Sequence, residues 1–196
     1  MNTPSFPTAT DSFPAQDVTK IRKSLRATQP GSRRSALTLA AFAGASILVA
    51  AAGARMTTRN KGWYRLLRKS PLTPPDRTFS IVWPVLYGLG AVSAWRIARR
   101  EDSPARTRAL ALWGTQLACN AAWTPLFFGA HRPGAAMATL ALNGATLGAY
   151  AAEASTLDPI AAAMVIPNLG WLAFAGALNA GVIERNRGPM RLLLGR

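Results

Sequence analysis

The chain is poor in the residues that build metal centres and conventional active sites. Among 196 residues there is one cysteine, Cys119, and one histidine, His131. One cysteine excludes an intrachain disulfide and a cysteine-based metal cluster, and one histidine excludes a multi-histidine metal site. No Ser-His-Asp set and no glycine-rich phosphate loop can be assembled. We therefore predict no catalytic residues, no metal site and no required cofactor.

Acidic residues are scarce as well, since eight Asp and Glu accompany 23 Lys and Arg. Charge of either sign is absent from five long stretches, at residues 35–54, 78–95, 109–130, 133–152 and 159–183. Each stretch is close to the roughly 20 apolar residues that an α-helix needs to cross a bilayer. The stretches also lack the recurring charges of amphipathic helices in soluble domains. They predict an all-α integral membrane bundle of five transmembrane helices.

The formal net charge of +15 has a simple explanation in such a bundle. The basic residues flank the apolar runs, where phospholipid headgroups are their expected partners, so we predict contact with membrane lipid and no nucleic-acid binding. Lys and Arg divide almost evenly between the two sides of five spans, with 11 on one side and 12 on the other. The positive-inside rule therefore gives no orientation.

Residues 1–34 are rich in Ser, Thr and Pro and predict a disordered basic tail. An organelle transit segment is an alternative, although Asp11 and Asp17 count against it. A twin-arginine signal at Arg33 and Arg34 is another, but the apolar run that follows is long for a signal and fits a first membrane helix. The predicted domains are thus a tail at 1–34, a membrane domain at 35–186 and a basic C-terminal tail at 187–196.

Polar side chains lie among aromatic ones in the third apolar run. The spacing places Trp113, Gln116, Asn120, Trp123 and Phe127 on one helical stripe. Amides at this depth need hydrogen-bond partners, because hydrocarbon supplies none. The spacing leaves two interpretations open: hydrogen bonds between helices, or a polar spot that lines a cavity.

Two other runs repeat this combination of tryptophan and nearby polar atoms. Trp83 and Tyr87 are one turn apart in the second run, and Trp171, Ala175 and Asn179 follow i, i+4 steps in the fifth. Three such helices predict an aromatic-walled cavity, which suits a flat and largely apolar ligand.

A row of small residues lies nearly opposite the aromatic stripe of the third run. It consists of Gly114, Ala118 and Ala122, which permit close helix–helix approach. Packing within the bundle would use this row, and so would a second copy of the chain. We predict a homodimer face here.

Several blocks of sequence occur in an order that resembles one family. They are Trp63-Tyr64, Pro74-Pro75, Trp83 with Leu86-Tyr87, QLACNAAWTPLFFG at 116–129, and Pro167 with Trp171 and Leu178-Asn179. Together they cover about residues 53–186 and are similar to the translocator proteins, also called tryptophan-rich sensory proteins (TspO) or peripheral-type benzodiazepine receptors. The resemblance implies a five-helix bundle, usually dimeric, that binds porphyrins and haem, and in animals cholesterol and benzodiazepine-type drugs.

The resemblance also implies which residues contact the ligand. The family's cavity, carried onto this chain, has the walls Tyr64, Trp83, Tyr87, Asn120, Trp123, Phe127, Trp171, Ala175 and Leu178. The basic loop above it offers five cations for ligand carboxylates, namely Lys61, Arg65, Arg68, Lys69 and Arg77. Ala180 replaces the tyrosine of the animal cholesterol motif, so porphyrin or haem is the expected ligand.

Three functions follow from this resemblance. The first is a tetrapyrrole receptor or carrier with a sensory, regulatory or transport role, in a bacterial envelope membrane or, in a eukaryote, an organelle membrane. The second is an enzyme that degrades bound porphyrin with light and oxygen, with tryptophans as electron relays. The third is a ligand-switched regulatory scaffold, or a carrier of sterol or lipid.

Overall fold

The computed structural model describes residues 32–188, which are helical apart from short turns and loops and contain no strand. Residues 38–188 belong to one compact unit, and residues 32–37 belong to another. The helices are α1 (Ser32–Arg59), α2 (Lys61–Leu66), α3 (Asp76–Ala98), α4 (Pro104–Thr124), a π-helix (Pro125–Gly129), α5 (Pro133–Leu157), α6 (Pro159–Met164) and α7 (Ile166–Arg185). The predicted all-α class is confirmed.

The five charge-free runs coincide with five helical segments. They lie in α1, in α3, in α4 with the π-helix, in α5, and in α6 with α7. The predicted tails at 1–34 and 187–196 fall almost wholly outside the described residues and stay predictions.

Three of these segments are long and apolar enough to span a membrane by length and composition alone: Arg33–Arg59, Asp76–Ala98 and Pro159–Arg185. The other two, α4 and α5, form the most extensive helix–helix contact of the described chain. They carry buried polar residues at that centre, among them Gln116, Asn120, Asn143 and Thr146. These polar residues lower the mean hydropathy of α4 and α5. The bundle accommodates them because they lie in its interior rather than against lipid.

Proline sets the beginnings of three helices. Pro104, Pro133 and Pro159 each occupy the first turn, where a missing N–H costs nothing. Ser103 caps α4, since its side-chain oxygen accepts a hydrogen bond from the N–H of Arg106. Short connections therefore join long helices, and neighbouring helices run antiparallel.

Buried polar groups join the helices at the end away from the 60–75 loop. The Ser93 hydroxyl donates to the carbonyl of Ala161 over 2.7 Å, and its oxygen lies 2.6 Å from the Tyr150 hydroxyl. The Trp113 indole donates to the Gly90 carbonyl over 3.0 Å. These bonds connect α3 with α4, α5 and α6, so this half of the bundle is closely packed.

A buried carboxylate, Asp158, fastens the turn between α5 and α6. Its side chain is 3% exposed and accepts hydrogen bonds from Arg96 over 3.1 Å and from Arg100 over 2.7 Å. It also accepts from the N–H groups of Ile160 and Ala161, which caps α6. Burial alone would raise the pKa of Asp158, but these hydrogen bonds outweigh burial and hold the pKa well below its usual range.

Substitutions at Asp158 separate its charge from its capping role. Asn keeps an oxygen for the cap but leaves Arg96 and Arg100 unpaired, whereas Ala removes both contributions. We expect Asp158→Asn to lower the free energy of unfolding by roughly 1–3 kcal/mol, and Ala to lower it by about 1 kcal/mol more. Thermal unfolding of the purified protein in one detergent measures both, and equal losses would contradict the capping role.

The lowered pKa also fixes the sign of the pH dependence. A carboxyl whose pKa is lower in the folded state stabilises the fold above its unfolded pKa, about 3.9, and this stabilisation is lost as the pH falls through the folded value. The stability difference between wild type and Asp158→Asn should therefore stay constant from pH 7 to 5 and narrow only in more acidic solution. If this stability difference already narrows between pH 7 and 5, a group other than Asp158 controls the pH dependence.

Candidate functional site: an aromatic cavity under the 60–75 loop

A cavity of about 570 Å³ lies inside the bundle at the end that carries the 60–75 loop. This volume is within the usual range of small-molecule sites. Side chains of α1 to α5, of the π-helix, of α7 and of the loop line it. Of the nine predicted ligand-binding residues, eight line the cavity: Tyr64, Trp83, Tyr87, Asn120, Trp123, Phe127, Ala175 and Leu178.

The ninth, Trp171, is not among the lining residues and instead contacts the wall. Its ring is perpendicular to that of Trp83, with centroids 6.3 Å apart, and 5.7 Å from that of Phe79. Both neighbours line the cavity. Trp171 therefore supports the wall by edge-to-face packing.

The walls present broad aromatic surfaces. Trp123 and Phe127 are stacked with centroids 5.0 Å apart and planes 17° apart, as their i, i+4 spacing predicts. On α3, the rings of Trp83 and Tyr87 lie 5.8 Å apart. Flat ring faces on α3 and α4 suit a flat, apolar ligand.

The π-helix widens the aromatic wall beyond what the sequence pattern predicts. Its hydrogen bond runs from the N–H of Ala130 to the carbonyl of Pro125 over 2.7 Å, a step of five residues. The wider turn lets the consecutive residues Phe127 and Phe128 both line the cavity. Single π-turns of this kind occur often at functional sites.

The two amides of the third run take different positions. Asn120 lines the cavity and donates from its amide nitrogen to the side-chain oxygen of Gln116 over 3.1 Å. Gln116 lies deeper, beside a void of about 10 Å³ that Asn120, Ser46 and Asn168 also line. That void has room for about one water molecule. Asn120 therefore fits the second interpretation, since it faces the cavity, and its side-chain hydrogen bond to Gln116 lies within α4 rather than between helices.

Charged residues lie at the rim of the cavity, and only some of the predicted cations are among them. Lys61 and Arg77 line it, and Lys61 forms an ion pair of 3.0 Å with Asp76, which also lines it. Lys69 does not line the cavity and lies instead over the ring of Tyr64, with its ammonium 4.3 Å from the centroid.

The remaining predicted cations, Arg65 and Arg68, are exposed and do not line the cavity. Within residues 32–188, no three His, Cys, Asp or Glu side chains cluster as metal ligands.

Tyr64 adds a hydrogen-bond donor near the rim. Burial raises the pKa of its phenol, and the negative charge of Asp76 raises that pKa further. The hydroxyl therefore stays protonated at neutral pH and can donate to an acceptor in the cavity.

Residues that sequence reasoning missed close the cavity on the α1 side. They are small or short side chains, which leave space rather than fill it: Val49, Ala50, Gly53, Ala54, Thr57 and Thr58. In the sequence, the small residues at positions 50 and 54 are four apart and therefore share one face of the helix, which is the pattern that could have predicted this side of the cavity.

Asn186 fastens the loop above the cavity and was also missed. Its amide nitrogen donates to the carbonyl of Arg68 over 2.9 Å, and its oxygen accepts from the N–H of Arg68 over 3.1 Å. The ring of Trp63 stacks on that of His131 with centroids 4.2 Å apart. These contacts join the loop to the end of α7 and to the turn before α5.

The predicted dimer face lies on the outside of the compact unit. Gly114 and Ala118 are exposed and Ala122 is half-buried. This placement leaves the row available to a second copy, and the dimer stays a prediction.

The fold and the cavity define the class of protein. Five helical segments around an internal aromatic cavity, with apolar side chains such as Ile47, Leu48, Ile81 and Val85 exposed on the outside, make an integral multi-pass membrane protein. Comparison with known proteins gives the family. The sequence profile of the TspO/MBR family matches residues 38–185, so the chain belongs to that family.

Relatives from bacteria and animals are similar over most of their length. The protein CrtK of Rhodobacter capsulatus is 33% identical over 160 residues, which cover 81% of this chain and 100% of CrtK. The translocator protein of Sus scrofa is 38% identical over 149 residues, covering 72% and 88%. The tryptophan-rich sensory protein of Cereibacter sphaeroides is 34% identical over 142 residues, covering 70% and 88%.

A substitution at Gly53 tests how closely α1 approaches Thr124 beside the cavity. A Cβ at Gly53 would lie 3.3 Å from the side-chain oxygen of Thr124, whereas one at Gly44 on the same helix would meet nothing within 4 Å. We expect Gly53→Leu to lower the free energy of unfolding by about 1–3 kcal/mol through overpacking. The matched control Gly44→Leu should leave the thermal midpoint unchanged, and equal midpoints for both variants would contradict this packing.

Proposed function

We propose that this protein binds a tetrapyrrole, a porphyrin or haem, in the aromatic cavity and acts as a membrane receptor or carrier for it. The observation that carries the proposal is the cavity of about 570 Å³ with ring faces on α3 and α4 and basic residues at its rim. A tetrapyrrole has the matching parts, since its macrocycle is flat and apolar and its carboxylates lie at one edge. The names of the relatives, translocator protein and tryptophan-rich sensory protein, support a carrier or receptor role.

Each part of the ligand has a partner in the cavity. Ring faces of Trp83 and Trp123 are available for stacking on the macrocycle. The amide nitrogen of Asn120 is already bonded to Gln116, so its oxygen is the atom that can accept from a pyrrole N–H. Arg77 lines the cavity without an ion-pair partner among the described residues, and it is the expected anchor for a carboxylate.

Two tryptophan substitutions distinguish a residue that lines the cavity, Trp83, from one that packs behind it, Trp171. Trp83→Ala removes a stacking face and should weaken protoporphyrin binding by about tenfold, as expected for loss of an aromatic contact. Trp171→Ala removes only the packing behind that face and should weaken binding less. Fluorescence titration of each purified variant with protoporphyrin measures its dissociation constant, and thermal unfolding checks that the variant is folded. An unchanged dissociation constant in the variant that carries both Trp83→Ala and Trp171→Ala would refute binding in this cavity.

The rim charges predict a dependence on ligand charge. Arg77→Gln should weaken binding of protoporphyrin roughly two- to tenfold, because an exposed charge-assisted contact is lost. It should leave binding of the uncharged dimethyl ester unchanged. Asp76→Asn should strengthen protoporphyrin binding, because it releases Lys61 from its ion pair.

The matched control for Arg77 is Arg65→Gln, a basic residue of the same region that does not line the cavity. It should leave both affinities unchanged. An equal effect of Arg65→Gln and Arg77→Gln would show that the overall positive charge, rather than a contact at the rim, holds the carboxylates.

A further inference from the structure

The two ends of the bundle differ in net charge although their basic residues are numerous at both. Within residues 38–188, ten Lys and Arg accompany two acids, Asp76 and Glu184, at the cavity end. At the other end, five arginines accompany four acids. The count of 11 against 12 over the whole sequence does not show this difference, because it includes the Lys and Arg of residues 1–34 and 189–196 and leaves out the acids.

At the end away from the cavity, ion pairs neutralise four of the five arginines of residues 38–188. Arg96 and Arg100 share Asp158, Arg108 pairs with Glu153 over 2.8 Å, and Arg106 pairs with Asp102. The remaining one, Arg99, lies over the ring of Trp95 at 4.7 Å. Residues 38–188 therefore contribute little net charge at this end.

The cavity end is different, because the Lys61–Asp76 pair is its one ion pair within residues 38–188. Seven arginines there are exposed and none lines the cavity. We call this set the basic collar: Arg55, Arg59, Arg65, Arg68, Arg132, Arg185 and Arg187.

The collar lies where the apolar spans end, which is the level expected of a membrane interface. Arg55 and Arg59 follow directly on the apolar part of α1, and Arg185 ends α7. Trp63 lies in the same layer, as interfacial aromatics do. Guanidinium groups at this depth meet lipid headgroups, and their planar fork matches the oxygens of a phosphate.

We propose that the basic collar binds anionic phospholipids, so that acidic lipids of one leaflet gather around the mouth of the cavity. Zwitterionic headgroups carry their own cation and gain less from the collar, whereas clusters of four to eight basic residues beside membrane helices are the usual signature of anionic-lipid binding. Within residues 38–188, four of the five arginines at the opposite end are already in ion pairs. Among these residues, the cavity end is therefore the one that selects anionic lipid.

Lipid retention tests this proposal without any tetrapyrrole. The full-length protein is reconstituted in phosphatidylcholine with a minor fraction of phosphatidylglycerol, extracted in mild detergent, and its retained lipids are quantified by mass spectrometry. We expect the retained ratio of phosphatidylglycerol to phosphatidylcholine to exceed the bulk ratio severalfold and to fall in high salt. The variant Arg59→Gln with Arg65→Gln should lower that enrichment at least about threefold.

The control removes the same number of arginines from the other end, as Arg99→Gln with Arg108→Gln, and should keep the wild-type enrichment. Retained lipid at the bulk ratio in wild type, or equal losses in both double variants, would overturn the proposal. Binding of the porphyrin dimethyl ester, measured on the same samples, should be unchanged in both variants. If tetrapyrrole binding fails, the lipid measurement still tests the basic collar. If lipid enrichment fails, the binding of the ester still tests the cavity.

Discussion

The need to satisfy every polar group inside hydrocarbon shapes this structure. Water is absent there, so polar side chains such as Gln116 and Asn120 are buried in the bundle, where they bond to each other, and apolar side chains face the lipid. The same constraint produces the hydrogen bonds of Ser93 with Tyr150 and Ala161. Where these internal bonds are dense, the helices pack closely, and the open volume is left at the opposite end, beneath the 60–75 loop. The location of the cavity is thus a consequence of where the interior polar pairs lie.

Much of the fold and of the cavity could be predicted because the relevant information is local. Charge-free runs gave the five helical segments, and i, i+4 spacing gave the shared faces of Trp83 with Tyr87 and of Trp123 with Phe127. Spacing shows which residues share a face of one helix, but it does not show which of them reach the cavity. Trp171 has the correct spacing to Ala175 but packs on Trp83 instead of lining the cavity.

Other features depend on tertiary arrangement that no local pattern contains. The bond between Asn186 and Arg68 joins residues 118 positions apart. The small residues of α1 line the cavity by making room, and small residues are common in membrane helices, so they carry little signal. The charges follow the same rule. Which arginines are neutralised depends on which acids reach them, and Asp158 reaches Arg96 and Arg100 only in the folded bundle.

The double hydrogen bond of Asn186 with Arg68 has a consequence for how readily the loop above the cavity opens. That one amide bonds the loop above the cavity to the end of α7, which forms one cavity wall and also packs Val182 in one buried cluster with Leu67. Lifting the loop breaks both bonds at once. Two bonds of about 1 kcal/mol each slow such opening by a factor of about ten to thirty. A single side chain outside the cavity therefore slows opening of the loop without adding a contact inside the cavity.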